Sequence, residues 1–271
     1  MSADGTKDLG ELSGLPLRVD SEGRVVFAEG LPQVTPQVRT LDEMRAVLYN
    51  QTATGPRELY YMYRNIGWPE DIAVYSRRSL RFDLTVLRPG LVGGEYVKTA
   101  GHYHPEVPGS GGARPGDGLT YPELYQVLLG RAHYLLQRPD PEGGPGALAD
   151  VAVVEAGPGD CLYVPPGYGH VTINPGPEPL VMVNVVDGSF SSVYGPYRER
   201  HGAVYYEIEE HGRSYFVEND HYPEPPEPRL GRTTALEDLG LRSGEPLYRQ
   251  LASAPGAFAF LSSPPGDGPL P

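Results

Sequence analysis

Cysteine is almost missing: the 271 residues hold one, Cys161. A single thiol cannot close an internal disulfide, which fits a reducing cytoplasm and leaves packing and hydrogen bonds to hold the fold. Basic residues are scarce as well. Lys and Arg number 22 against 35 Asp and Glu, a formal net charge of −13. Such a surface argues against nucleic-acid binding, because phosphate contacts need clustered cations. It does not exclude a small anion, which reads the local field of a pocket. No apolar run approaches the ~20 residues of a membrane-spanning helix, so no membrane partner is expected. The opening Met1-Ser2-Ala3-Asp4-Gly5 has neither a basic nor an apolar stretch, and no signal peptide is expected.

What is abundant is glycine (35), proline (30) and tyrosine (19). The glycines and prolines fall at intervals between Tyr- and Val-rich runs, as in short strands joined by tight turns. Strands are expected over 59–65, 80–87, 96–100, 124–128, 132–137, 151–156, 161–164, 170–174 and 180–186. Pro89-Gly90, Gly93-Gly94, Gly157-Pro158-Gly159 and Pro175-Gly176 mark the turns. Regular short strands of this kind indicate an all-β sandwich or barrel.

Residues 58–218 read as that barrel, with further strands at 204–208 and 214–218. Residues 1–57 read as an N-terminal arm with one strand near 24–28 and one helix. Thr40 can cap the helix, with Glu43 three residues on as in a capping box, and the helix runs to about Leu48. Residues 219–271 read as a Pro-rich linker and a C-terminal extension. Its apolar patch at 257–261 is expected to pack across the barrel or a subunit interface. Residues 105–122 form a Gly/Pro-rich insert without periodicity, expected as a loop over the barrel mouth.

His102 and His104 are two apart, so on a strand both imidazoles share a face. With Glu123 and His170 they make three imidazoles and a carboxylate. That donor set suits Fe2+, Mn2+, Zn2+, Ni2+ or Co2+ and leaves positions open for substrate or water. An HxH pair alone is a weak signal, since core and surface histidines produce it too. The stronger one is the spacing: Glu123-x6-Gly130, then Gly159-x5-Pro165-x-Gly167-x2-His170-x3-Asn174.

These two segments resemble the two motifs of the cupin barrel, although Tyr96 stands where the first motif has a glycine. The wider region, roughly 58–200, resembles the cupin-type glucose-6-phosphate isomerases first known from archaea. The resemblance rests on Asp83-Leu84-Thr85-Val86-Leu87-Arg88-Pro89-Gly90 and Val97-Lys98-Thr99-Ala100-Gly101-His102-Tyr103-His104. It continues through Pro122-Glu123-Leu124-Tyr125, the run from Tyr163 to Thr172, and Val193-Tyr194-Gly195.

The resemblance implies a jelly-roll (double-stranded β-helix) barrel and the interconversion of glucose 6-phosphate and fructose 6-phosphate in glycolysis and gluconeogenesis. It implies one divalent metal per subunit, Fe2+ foremost, held by His102, His104, Glu123 and His170. It also implies a phosphate end lined by Tyr60, Thr85, Thr99 and Gly101, with Tyr194 in the same pocket. Sheet edges and the terminal arms suggest a homodimer, with arm strands pairing across the interface. Threonine and tyrosine hydroxyls donate to phosphate without adding charge, although threonine is also an ordinary strand residue. Lys98 would face opposite Thr99 on a strand and is set aside.

The isomerisation moves a proton or a hydride between C1 and C2. Glu123 is the candidate base, a job that competes with binding a cation, so hydride shift stays open. Tyr125, two residues on and on the same face, would position or protonate a sugar oxygen. The chain departs from the family in the 105–122 insert and in Gly167-Tyr168-Gly169, where members have an aromatic-rich turn. It departs again at Val186 and Ser192, where they have a Tyr and a His. A cupin oxygenase and a non-catalytic sugar-binding cupin are the competing readings. His133, His201, His211 and His221 read as surface or packing residues, and Cys161 as a small buried strand residue.

Overall fold

The strand Leu80–Leu87 shows how the barrel is built. Phe82, Leu84 and Val86 enter one apolar cluster, while Leu87 enters another on the opposite face. Arg81, Asp83 and Thr85 share the face of Leu87, as the two-residue period of a strand requires. A computed structural model describes residues 5–111 and 118–265 of the chain.

Six strands form the larger sheet in the order Cys161–Val164, Glu123–Leu129, Leu180–Asp187, Leu80–Leu87, Glu58–Tyr63, Gln37–Thr40, all antiparallel. A second sheet runs Gly169–Ile173, Ala132–Pro139, Leu148–Ala156, with Arg229–Leu230 added in parallel at its edge. Cys161–Val164 pairs with a strand of the first sheet and Gly169–Ile173 with one of the second, so the chain crosses between sheets as in a jelly roll. The faces meet over Leu87, Val127, Tyr134, Leu136, Val171 and Met182. The all-β cupin barrel expected from the sequence is the observed architecture. Arg213–Glu218, Tyr205–Glu210, Glu95–Tyr96 and Leu91–Val92 make a further sheet.

Three elements differ from expectation. The strand at 96–100 shrinks to Glu95–Tyr96, after which Lys98–Ile173, His102–His170 and Tyr103–Val193 pair as isolated bridges. Gly101, just beyond, turns at φ +72°, where a Cβ would come within 2.5 Å of the Tyr197 ring. The N-terminal arm holds a three-stranded sheet, Lys7–Asp8, Leu17–Val19 and Val25–Phe27, rather than one strand. Its next strand, Gln37–Thr40, joins the barrel. The helix starts with the expected Thr40–Glu43 capping box but is α-helical only over Leu41–Met44, tightening to a 3-10 turn at Arg45–Val47.

The C-terminal extension folds as Leu236–Leu239, Leu247–Ser253 and Pro255–Leu261. Phe258, Leu261, Leu247 and Leu251 are fully buried with Phe82 and Val183 on the outer face of the six-stranded sheet. The 257–261 patch therefore packs on the barrel of its own chain. The helix Pro69–Tyr75, which has no counterpart in the sequence reading, meets it: Tyr248 donates to Asp71 at 2.6 Å and accepts from the Trp68 amide at 2.8 Å. No helix of the described residues is long and apolar enough to cross a membrane.

Candidate metal centre

His102 and His104 sit on the bridged segment after the Gly101 turn. Glu123 opens the strand Glu123–Leu129, and His170 lies in Gly169–Ile173. The His102 and His170 backbones exchange both hydrogen bonds, at 3.2 and 3.0 Å, joining the two motif halves. One donor atom from each of His102, His104, Glu123 and His170 lies within 4.8 Å of all the others. The Nε2 atoms of His102 and His104 are 3.1 Å apart. Glu123 Oε2 is 3.3 Å from Nε2 of both His104 and His170.

Neighbours orient these donors. Nδ1 of His104 donates to the Tyr121 carbonyl at 2.8 Å, which turns the Nε2 lone pair inward. Asn184 donates to Glu123 Oε1 at 2.7 Å. Oε2 is buried and meets no donor in hydrogen-bond geometry. Burial, then His170 and His104, holds the His102 pKa well below 6.5, and burial lowers His170. Burial pushes the Glu123 carboxyl up, but His104 and His170 more than offset it and hold it well below 4.5. Neutral imidazoles at His102 and His170 and a carboxylate at Glu123 are the protonation states a metal needs. A buried carboxylate oxygen with no hydrogen-bond donor, 3.3 Å from two imidazole nitrogens, is costly unless a cation joins them. The four residues could hold one divalent ion.

The cavity above them, about 60 Å3, is lined by Tyr60, Thr85, Thr99, Tyr125 and Tyr194 together with His102, His104 and Glu123. Gly101 does not line it; its part is the turn that aims His102. Tyr60 accepts from the Ala100 amide at 3.2 Å, and Thr99 Oγ1 from the Thr172 amide at 2.9 Å. The Tyr194 ring lies 5.4 Å from that of His102. The Tyr125 hydroxyl is 3.0 Å from His170 Nε2. Burial, then Glu123, raises its pKa well above 10, so it stays protonated. A larger cleft of about 530 Å3 lies outside the barrel near Gln126, Cys161 and Thr234. It holds no histidine, so size alone does not mark the site.

The sequence reading missed Arg64, Arg81, Asn184 and Phe190 on the cavity wall. The two-residue period carried along Leu80–Leu87 and Leu180–Asp187 would have found Arg81 and Asn184. Val186 and Ser192, two of the departures from the family pattern, also line it. Phe190 stacks on Tyr121 at 4.6 Å and lies 4.6 Å from the His104 ring. The insert is more regular than expected. Val107 bonds to Leu119 and Tyr121 to Pro105, and Thr120 Oγ1 accepts from the Gly167 amide at 2.7 Å. Residues 112–117 of the insert lie outside the described residues.

Lys98 is buried against Glu95 and away from the cavity. His133 bonds to the buried Glu207 at 2.9 Å. The His201 and His221 rings lie 4.3 Å apart, and His211 is exposed. The Cys161 thiol is pushed up to about 12 by burial, then by Asp160, so it is no nucleophile.

The model of the glucose-6-phosphate isomerase (GPI) family matches residues 38–224. The glucose-6-phosphate isomerase of Pyrococcus furiosus is 32% identical over 212 residues, 75% of this chain and 94% of that one. That of Thermococcus kodakarensis is 33% identical over 145 residues, 54% of this chain and 66% of that one. Among solved structures, a predicted oxalate decarboxylase from Thermotoga maritima is 19% identical over 56% of this chain and 91% of that one. Its TM-score is 0.33, too low to bear on function. With a family match across the whole barrel and its four converging donors, the chain belongs to the glucose-6-phosphate isomerase family.

Proposed function

We propose that the protein is a metal-dependent aldose–ketose isomerase that interconverts glucose 6-phosphate and fructose 6-phosphate, a step of glycolysis and gluconeogenesis. The observation that carries this reading is the three-histidine, one-carboxylate cluster opening into a cavity of hydroxyls and guanidinium groups, in a chain of this family. His102, His104, Glu123 and His170 would hold one ion per subunit, with Fe2+ foremost and Mn2+, Zn2+, Ni2+ or Co2+ the others that suit the donors. Bound there, the ion supplies Lewis acidity toward sugar oxygens.

The chain supplies the rest. Tyr60, Thr85, Thr99 and Tyr194 present hydroxyls to the sugar phosphate. Tyr125 keeps its proton and can give it to a sugar oxygen. Glu123 takes the base role in a proton transfer, and its lowered pKa makes it a weak one. A hydride shift asks no base of the site. Turnover in D2O separates the two, since only proton transfer brings solvent deuterium onto carbon. The cavity is smaller than the ~300–1,000 Å3 of ordinary ligand pockets, so its wall, Phe190 included, must widen to admit a hexose. An oxygenase fits this hydroxyl- and guanidinium-lined wall less well.

In the same reading, residues 58–218 are the catalytic barrel, to which 1–57 add the strand Gln37–Thr40 and 219–271 add Arg229–Leu230 and the outer helices. The enzyme works in the cytoplasm as a homodimer, paired through the edge strand Arg213–Glu218 with its exposed Tyr215. A dehydrogenase-coupled assay with Fe2+ or Mn2+ tests the activity. Turnover of fructose 6-phosphate that EDTA stops supports it, and no turnover with any of the five metals sinks it. Sedimentation analysis tests the dimer.

A further inference from the structure

The inner wall of the barrel is layered by strand register. Arg81 and Glu123 both pair with Val186 and occupy the mouth row. Asp83 and Tyr125 both pair with Asn184 one row deeper. Thr85, between Met62 and Met182, lies a row below that. The hydroxyl-lined end is thus deep, and Arg81 shares the mouth row with Glu123 of the four-donor cluster. A linear phosphosugar with its phosphate on the deep hydroxyls brings its other end to the row that Glu123 and Arg81 share.

Arg81 does not stand alone. Asp83, fully buried, accepts from Arg64 Nη1 at 2.7 Å, from Arg81 Nε at 2.9 Å and from the Asn65 amide at 2.8 Å. Two guanidiniums on one carboxylate leave one positive charge over. Arg81 spends only Nε on Asp83, so both of its terminal Nη groups remain without a protein partner among the described residues. The two arginine side chains are 34% and 30% exposed, open enough to receive a ligand and braced enough to hold a fixed fork. Arg81 also borders a cleft of about 270 Å3 at the mouth, beside Ser79, Gly188 and Ser189, which offers room for a tetrahedral anion.

We propose that Arg64 and Arg81, braced by Asp83, form a second anion subsite, so that the pocket binds sugars anionic at both ends, with hexose bisphosphates as inhibitors. This rests on the isomerase reading for the orientation of the sugar. A hexose 6-phosphate uses the deep hydroxyls and leaves the arginines to its neutral C1 end. A hexose 1,6-bisphosphate puts its second phosphate on the Arg81 fork. With its C1 oxygen esterified, it fills the site without turning over.

Calorimetry on the metal-loaded protein, with two probes that cannot isomerise, tests the subsite. Fructose 1,6-bisphosphate should bind about 10–100-fold more tightly than sorbitol 6-phosphate, the range of a charge-assisted contact. In Arg81→Gln that advantage should vanish, with fructose 1,6-bisphosphate losing about 10-fold or more beyond whatever sorbitol 6-phosphate loses. Arg64→Gln repeats the test with the Arg81–Asp83 contact retained. Equal binding of both probes by the unmodified protein overturns the proposal, as does an advantage that survives both substitutions. Equal loss of both probes in the variants also overturns it, by making the arginines the seat of the 6-phosphate. Isomerase turnover is measured separately. Turnover without a bisphosphate advantage sinks the subsite alone, and the advantage without turnover sinks the isomerase reading and leaves the subsite.

Discussion

Asn184 donates its Nδ2 hydrogen to Oε1 of Glu123 at 2.7 Å, and both side chains are buried. The contact fixes the carboxylate so that its other oxygen faces His104 and His170. Asn184→Leu keeps the bulk and removes the donor. Metal affinity should fall about 10–100-fold, as when a partner of a metal ligand is lost. Equilibrium dialysis against Mn2+ reads it, with the unfolding midpoint as a control for the fold.

Tyr125→Phe removes one hydroxyl next to His170. Turnover should drop on the order of 100-fold if this phenol serves the sugar oxygen as general acid. Metal content should not change. Because burial and Glu123 hold the proton on, the rate of the unmodified enzyme should show no decline from this group as pH rises toward 10.

Removing the ion should abolish turnover and leave the barrel folded, since its two sheets are held by apolar packing. EDTA treatment followed by Fe2+ or Mn2+ should restore turnover, without oxygen consumption. Circular dichroism and an oxygen electrode check the two halves of that statement.

The metal-free protein should be less stable in acid, and the sign follows from the shifts. His102 and His170 have folded pKa values below the ordinary 6.5. Below about 6.5 the unfolded chain therefore binds protons that the folded chain refuses, and stability falls with pH. Glu123 acts in the same direction lower down. Its contribution is complete above the ordinary 4.5 and is lost as pH falls through its depressed folded value. Urea midpoints at pH 7 and 5 should differ, the second being lower.

Phe258→Ala should cost about 3–5 kcal/mol, the range for a fully buried aromatic. A loss of that size in urea unfolding would make the C-terminal extension an integral part of the barrel's outer layer. A loss below about 1 kcal/mol would make it a detachable strap.

The strands Leu80–Leu87 and Cys161–Val164 and the Thr40 capping box were legible because their signals are local. Alternation of side chains, turn residues and a three-residue cap repeat along the chain itself. The four donors were legible for a related reason: the two motif spacings carry the geometry of the barrel within them. The strand expected at 96–100 was not, because its pairing with Ile173, His170 and Val193 is broken into isolated bridges by partners distant in the chain. The three-stranded arm was missed because strands as short as Lys7–Asp8 owe their form to neighbours rather than to propensity.

Composition and periodicity decided the fold class, and the two motif spacings picked out the candidate metal donors, because alternation and spacing are patterns written along the chain. Only the tertiary structure decided which oxygen of Glu123 faces the histidines and that Arg64 and Arg81 share Asp83. It alone seated the 257–261 patch on its own barrel. Those outcomes depend on which strands lie side by side and on which buried charge meets which partner. Such pairings join residues far apart in the chain, and no short-range pattern encodes them.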